Sequence, residues 1–257
     1  MSATASAPNR PNIVIMVAGG ILVALVAIVS ARLAYGLILP PMRDDLGLSY
    51  RQAGTLGTVT ALGYLLFVLL GGFWNTGISV ALVLAFHLWI TGAFHEDGLA
   101  DSVDALGGGY TVARRLEIMK DSRIGTYGTV ALIMALGLKG LLLAEAKTVW
   151  LALLLSPVVS RLTPLWLMRF LPYVTDPNTS KSKPVAEGFS TQRLCVATAL
   201  TVVVAALAGA VIPALLSVVV VALLWGGYLW RHLRGYTGDT LGASVVLCEL
   251  VFLLLWG

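Results

Sequence analysis

Long apolar runs dominate the chain, and its polar residues collect between them. Such runs fall at 13–39, 53–73, 78–94, 129–144, 149–171, 194–211, 213–230 and 241–256. Several approach or exceed the roughly 20 apolar residues needed to cross about 30 Å of hydrocarbon. They are continuous rather than alternating, which specifies helices and not barrel strands. The pattern therefore predicts an all-α, polytopic protein with seven or eight transmembrane helices in a lipid bilayer. The first run is too long, and lacks the basic start, for a cleavable signal peptide. A turn at 75–77 and a break at Pro213 are expected to separate neighbouring spans.

The polar connections carry a second pattern. One holds Arg43, Asp44, Asp45 and Arg51, and a second, 95–128, holds Arg114, Arg115, Lys120 and Arg123 with several acids. A third, 172–193, holds Lys181, Lys183 and Arg193, and a fourth holds Arg231, Arg234 and Asp239. With eight spans, alternation puts all four on one face and leaves Arg10, Lys139, Glu145 and Lys147 for the other. Excess Lys and Arg mark the cytoplasmic side.

Composition agrees. Of 257 residues, 58% are hydrophobic and only 12% charged, against about a quarter charged in soluble domains. The net charge of +4 is explained by topology-setting loops and implies no nucleic-acid partner. Cys195 and Cys248 lie far apart in apolar segments, so neither a disulfide framework nor a thiolate metal site is implied.

The most unusual stretch is His95-Glu96-Asp97-Gly98-Leu99-Ala100-Asp101-Ser102-Val103-Asp104. On a helix, Asp97, Asp101 and Asp104 share one face at i, i+4 and i+7. Like charges so spaced repel, and desolvation at the mouth of a span adds to the cost. A divalent cation removes the conflict, and Mg²⁺ takes hard oxygen ligands together with substrate phosphates. Glu96 lies off that face. His95 is an unusual Mg²⁺ ligand, and a lone interfacial His is more often structural, so both are supporting candidates. The glycines 107–109 then interrupt the helix, and Arg114, Arg115, Lys120, Asp121, Ser122 and Arg123 follow. Acids for a metal beside Arg and Lys for phosphate suggest phosphoryl-type transfer, in which positioning and charge neutralisation do most of the catalysis.

Residues 95–101 with Asp104, followed by Ile118-Met119-Lys120-Asp121-Ser122-Arg123-Ile124-Gly125-Thr126-Tyr127-Gly128, closely resemble the cobalamin synthase (adenosylcobinamide-GDP ribazoletransferase) family. Ser160-Arg161, the loop ending near Glu187-Gly188-Phe189, and Gly238-Asp239 with Gly242-Ala243 and Glu249 are similar to it too. The resemblance covers about 71–257. It implies a Mg²⁺-dependent enzyme of the bacterial cytoplasmic membrane whose active site faces the cytoplasm. There, a hydroxyl of α-ribazole or its 5′-phosphate attacks the pyrophosphate of adenosylcobinamide-GDP and releases GMP. On that basis Asp97, Asp101, Asp104 and Asp121 are the metal candidates, with Asp97, Asp101 and Asp239 in catalysis. Lys120, Arg123 and Arg161 are candidates for the pyrophosphate, with His95 and Glu96 beside them. Asp239 stands equally as a helix cap.

The front of the chain departs from that pattern. Residues 31–36 and 42–50, running on to 63–64, resemble the first two helices of a major facilitator transporter. Two segments are thus expected, 1–70 and 71–257, joined by a fusion. Two other readings stay open: a CDP-alcohol-type membrane phosphotransferase, although Ala100 is followed by Asp101 and not by Arg, and a non-enzymatic transporter fragment.

Overall fold

The computed structural model describes residues 73–174 and 191–256. The expected span at 13–39, that at 53–73 except for Phe73, the transporter-like stretches, and Lys181, Lys183 and the 187–189 motif lie outside the described residues. Within them the structure is helical: α1 Thr76–Thr91, α2 Phe94–Gly108, α3 Val112–Met119, α4 Thr126–Glu145, α5 Val149–Ser160, α6 Leu162–Phe170, α7 Thr191–Leu207, α8 Val211–His232 and α9 Gly238–Trp256. No strand is present among the described residues; a single bridge joins Tyr173 to Tyr236. Four helical segments are long and apolar enough to cross a membrane: α4, α5 with α6, α8 and α9. A fifth candidate is α1 with α2, bent by 84°. The described residues are thus all-α with four or five candidate spans, and α7 is a shorter apolar helix.

Two boundaries and the placing of Lys139 differ from expectation. The run 78–94 does not end the first described helix at its last apolar residue. Gly92 and Ala93 both adopt positive φ, and the chain turns there into α2. Ala93 holds a left-handed conformation that costs an L-residue about 1–2 kcal/mol. Pro213 is not the break between α7 and α8. The chain turns at Gly209, with φ +68°, and Pro213 sits in the first turn of α8, where no intrahelical N–H is needed. Lys139 belongs to neither face: it lies within α4 and is buried.

Packing centres on α5, α6 and α9. Leu155, Leu162 and Leu165 of the α5–α6 segment and Phe252 of α9 are sealed from outside. By contrast α4 exposes Ile133, Met134 and Leu141, and α8 exposes Ile212, Leu223 and Leu224. Those apolar faces suit lipid rather than water. The closest crossing joins α2 to α9. A Cβ on Gly98 would stand 2.7 Å from the Asp239 carbonyl oxygen, and one on Gly242 3.5 Å from the His95 Cα.

Among the described residues, the helix ends that border the polar connections meet at one end of the bundle. Tyr236 N–H donates to the Pro172 carbonyl, and Val174 N–H to the Tyr236 carbonyl. Arg115 Nη1 donates to the His232 carbonyl at 2.6 Å, and Arg169 Nε to Thr191 Oγ1 at 3.2 Å.

Gly98→Ala should separate the two helices and lower stability by about 1–3 kcal/mol, read as a lower midpoint of thermal unfolding in detergent. Gly137→Ala, where nothing stands within 4 Å of the added carbon, should be neutral or stabilising by up to about 1 kcal/mol. Equal effects at the two glycines would contradict the crossing.

Candidate active site

The acids of α2 stand where the spacing puts them, on one helix face, and α9 adds a fourth. Asp97, Asp104 and Asp239 all act electrostatically on Asp101. Asp97 is exposed, Asp101 and Asp239 are half-buried, and Asp104 is buried. None of the four has a Lys or Arg within ion-pair distance among the described residues. Asp239 is brought in by the Gly98 crossing, and it is not the cap of α9. Thr237 Oγ1 accepts the Thr240 N–H at 3.3 Å, and Thr240 Oγ1 accepts the Thr237 N–H at 2.8 Å. This reciprocal pair does the capping and leaves the Asp239 carboxylate out of it.

Asp104 has a different environment from its neighbours. Its Oδ2 accepts the Gly125 N–H at 2.7 Å and its Oδ1 accepts the Gly128 N–H at 2.8 Å. A carboxylate from α2 thereby caps α4, satisfying two donors its N-terminus leaves unpaired and meeting the positive end of the helix dipole. A Cβ at Gly125 or Gly128 would collide with that carboxylate, so the glycines of the Arg123–Gly128 stretch are needed for the approach. Each Asp104 oxygen keeps a second lone pair, but its position is fixed by α4.

Asp121 stands apart, in the loop between α3 and α4. Its carboxylate accepts Arg123 Nε at 3.0 Å and Nη2 at 2.7 Å, and Oδ1 also accepts the Arg123 N–H. The Arg123 guanidinium holds the Asp121 carboxyl down at about 2. Lys120 is exposed and ends α3. Arg123 is turned toward its own acid, and neither cation is among the groups that act on Asp101 or Asp239.

His95, Glu96 and Arg161 join a second group deeper in the bundle. Lys139 Nζ of α4 donates to Glu249 Oε2 of α9, with side chains only 7% and 5% exposed. Ser160 Oγ lies 3.5 Å from Glu249 Oε1 and 3.2 Å from the Pro157 carbonyl. Arg161, at the junction of α5 and α6, donates from Nη1 to that same carbonyl at 2.8 Å. His95 lies within electrostatic reach of Arg161, Glu249, His87 and Lys139, and buried Glu96 of Lys139, Glu249 and Arg161. The expected site thus divides into an acidic mouth and a buried mixed-charge group. Lys139 and His87 were not among the expected site residues. The signal for Lys139 was its place in an apolar run, because an ionisable residue in a span is costly and marks function by default.

Among the described residues, no three His, Cys, Asp or Glu side chains are gathered tightly enough to enclose a metal ion. Asp97, Asp101 and Asp239 still fit Mg²⁺ chemically. They are hard oxygen donors without a cation, and Mg²⁺ commonly takes one or two carboxylates and completes its shell with phosphate oxygens and water.

Apolar spans around converging acids define a multi-pass membrane protein with a polar site at one end. The model of the cobalamin-5-phosphate synthase family matches residues 37–257, and the chain belongs to that family. It is accordingly an enzyme, a transferase of cobalamin biosynthesis, as the resemblance of the acidic motif implies and not as a CDP-alcohol-type reading would have it. A protein of Shewanella woodyi named adenosylcobinamide-GDP ribazoletransferase is 40% identical over 223 residues, 83% of this chain and 87% of its own length. Proteins with the same name from Vibrio cholerae and Leptothrix cholodnii are 45% and 41% identical, covering 78% and 71% of this chain and 77% and 74% of theirs. No solved structure matches.

The Asp121–Arg123 pair makes a pH prediction. A depressed folded-state value means the carboxylate stays charged and paired above its ordinary range near 4, and the pair is lost as pH falls through about 2. In Arg123→Gln, Asp121 should titrate near 4, as read by the carboxyl ¹³C shift of the labelled protein in nanodiscs. A midpoint still near 2 would show that Arg123 is not the cause.

Proposed function

We propose that the chain transfers the adenosylcobinamide phosphate group of adenosylcobinamide-GDP to α-ribazole, or to its 5′-phosphate, with Mg²⁺ as cofactor. The observation that carries this reading is the convergence of Asp97, Asp101 and Asp239, from two helices, without a cation among them. The acceptor hydroxyl attacks the phosphorus next to the corrinoid side chain. A new P–O bond forms, the bond to the bridging pyrophosphate oxygen breaks, and GMP leaves with that oxygen. Bound Mg²⁺ supplies charge neutralisation at the pyrophosphate, held by Asp97 and Asp101 with Asp104 and Asp121 as further candidates. Asp239 faces the acceptor and takes its proton. Lys120 and Arg123 meet the pyrophosphate from the rim, and Arg161 meets it from the buried side, supported by His95 and Glu96. Arg123 would exchange its Asp121 partner for phosphate.

The names carried by the relatives support the substrates. The apolar helices support a bilayer, and the clustering of Arg and Lys at the end that bears the acids supports a site facing the cytoplasm, in the bacterial inner membrane. With the runs at 13–39 and 53–73 included, the reading is of seven or eight spans.

Asp97→Ala or Asp101→Ala should abolish GMP release while leaving membrane insertion intact. EDTA should do the same to the unaltered enzyme, and added Mg²⁺ should restore it. Near-normal turnover in either variant would sink the metal assignment.

The front of the chain is a separate matter. We read 1–70 as a segment fused to the catalytic part, so the chain lacking 1–36 and the chain lacking 1–70 should both release GMP. Activity in the first and not the second would move the junction to near residue 37, where the family match begins.

A further inference from the structure

Lys139 is the buried charge that neither topology nor the acidic mouth explains. It lies roughly 20 Å along α4 from Thr126, among residues that otherwise suit lipid or apolar packing. Its one partner among the described residues is Glu249 Oε2, and Ser160 approaches the other oxygen of that carboxylate. The residue after Ser160 is Arg161, only 8% exposed. Two buried carboxylates, Glu249 and Glu96, thus lie within electrostatic reach of two cations, Lys139 and Arg161, and Glu249 is the one that Lys139 holds directly.

Arg is ordinarily the better partner for a buried carboxylate, because its planar fork makes two parallel hydrogen bonds. Here Lys139 holds Glu249, and the guanidinium of Arg161 makes its hydrogen bond to the Pro157 carbonyl. That leaves four of its five N–H groups without a recorded acceptor among the described residues. Nη1 is taken up by the Pro157 carbonyl, while Nε and Nη2 have no partner among the described residues and are not fully sealed from the outside. An unpaired guanidinium inside a bundle is costly, and an anion from outside the chain would satisfy it.

We infer that Lys139 is a positioning residue: by occupying Glu249 it keeps the Arg161 guanidinium free for a phosphate group of the substrate. The inference rests on the reading of Arg161 as a pyrophosphate contact. Without Lys139, the carboxylate of Glu249 turns to Arg161 and competes with the substrate for the same fork. The requirement is a carboxylate neutralised from the α4 side, not a particular fit of the lysine stem.

The test measures GMP release by the full chain in nanodiscs at varied adenosylcobinamide-GDP, with the unfolding midpoint read alongside. Arg161→Gln should lower kcat/KM about tenfold or more, the scale of one charge-assisted hydrogen bond. Lys139→Met should cause a loss of similar size, mainly in KM, and Lys139→Met with Arg161→Gln should be no worse than either alone. Lys139→Met with Glu249→Gln removes the carboxylate that Lys139 holds while leaving Glu96 as it was, and should return kcat/KM to within a few-fold of the unaltered enzyme. Because that pair removes the unpaired charge on Glu249, it also stands in if Lys139→Met alone fails to fold. Adding Arg161→Gln to it should again cost the full amount. A purely structural pair predicts losses from Lys139→Met and Arg161→Gln that add, which would overturn the role of Lys139. So would a Lys139→Met, Glu249→Gln enzyme of unchanged midpoint that stays inactive. Full activity in Arg161→Gln itself would overturn the inference together with the pyrophosphate reading beneath it.

Discussion

The close passage of α2 over α9 at Gly98 is the contact on which the rest depends. Two helix backbones approach this nearly only where one lacks a side chain. The consequence is chemical as much as structural. Asp239 belongs to a helix that begins more than a hundred residues after α2, yet it joins Asp97 and Asp101 because no Cβ intervenes at Gly98. The same passage sets His95 against Gly242, which carries the beginning of α2 toward Arg161 and Glu249. One small residue thus feeds both polar groups.

Those groups solve opposite electrostatic problems. At the mouth, like charges stand together partly exposed to solvent, and their repulsion creates the demand for a cation. Inside, opposite charges stand together away from solvent, where an ion pair must offset a large desolvation cost. Asp104 lies between the two regimes. It is buried, but it accepts two peptide N–H groups at a helix N-terminus instead of a cation. A carboxylate so held is a strut for α4 as well as a neighbour of the acids, which explains why Gly125 and Gly128 accompany it in the motif.

How much of this was legible in the sequence follows from how local each feature is. Apolar runs gave the helical class and, among the described residues, four candidate spans within a few residues of their expected bounds, because lipid leaves the backbone few options. The acidic face was legible because i, i+4, i+7 is set by one helix alone. The 84° bend was not, since Gly92-Ala93 interrupts no apolar pattern. Pro213 was taken as a break although proline suits a first helical turn, and the real turn is at Gly209. The alternative of Asp239 as a cap looked reasonable until Thr237 and Thr240 were seen to cap each other. Lys139 was given to the far face because its partner is 110 positions away, and a pairing that distant leaves no local trace.

The contacts at the ends of the helices carry a last consequence, one of parity. Starting from the acids, α4 leaves their end of the bundle and α5 with α6 returns to it, where Arg169 touches Thr191 at the start of α7. Then α7 leaves and α8 returns, where the His232 carbonyl receives Arg115 of α3. Two outward and two inward passages lie between Asp104 and Asp239. An even number brings the chain back to the end of the bundle it left, so the two halves of the acidic group meet at that end, by a count that begins after α2 and owes nothing to the path of the chain before it.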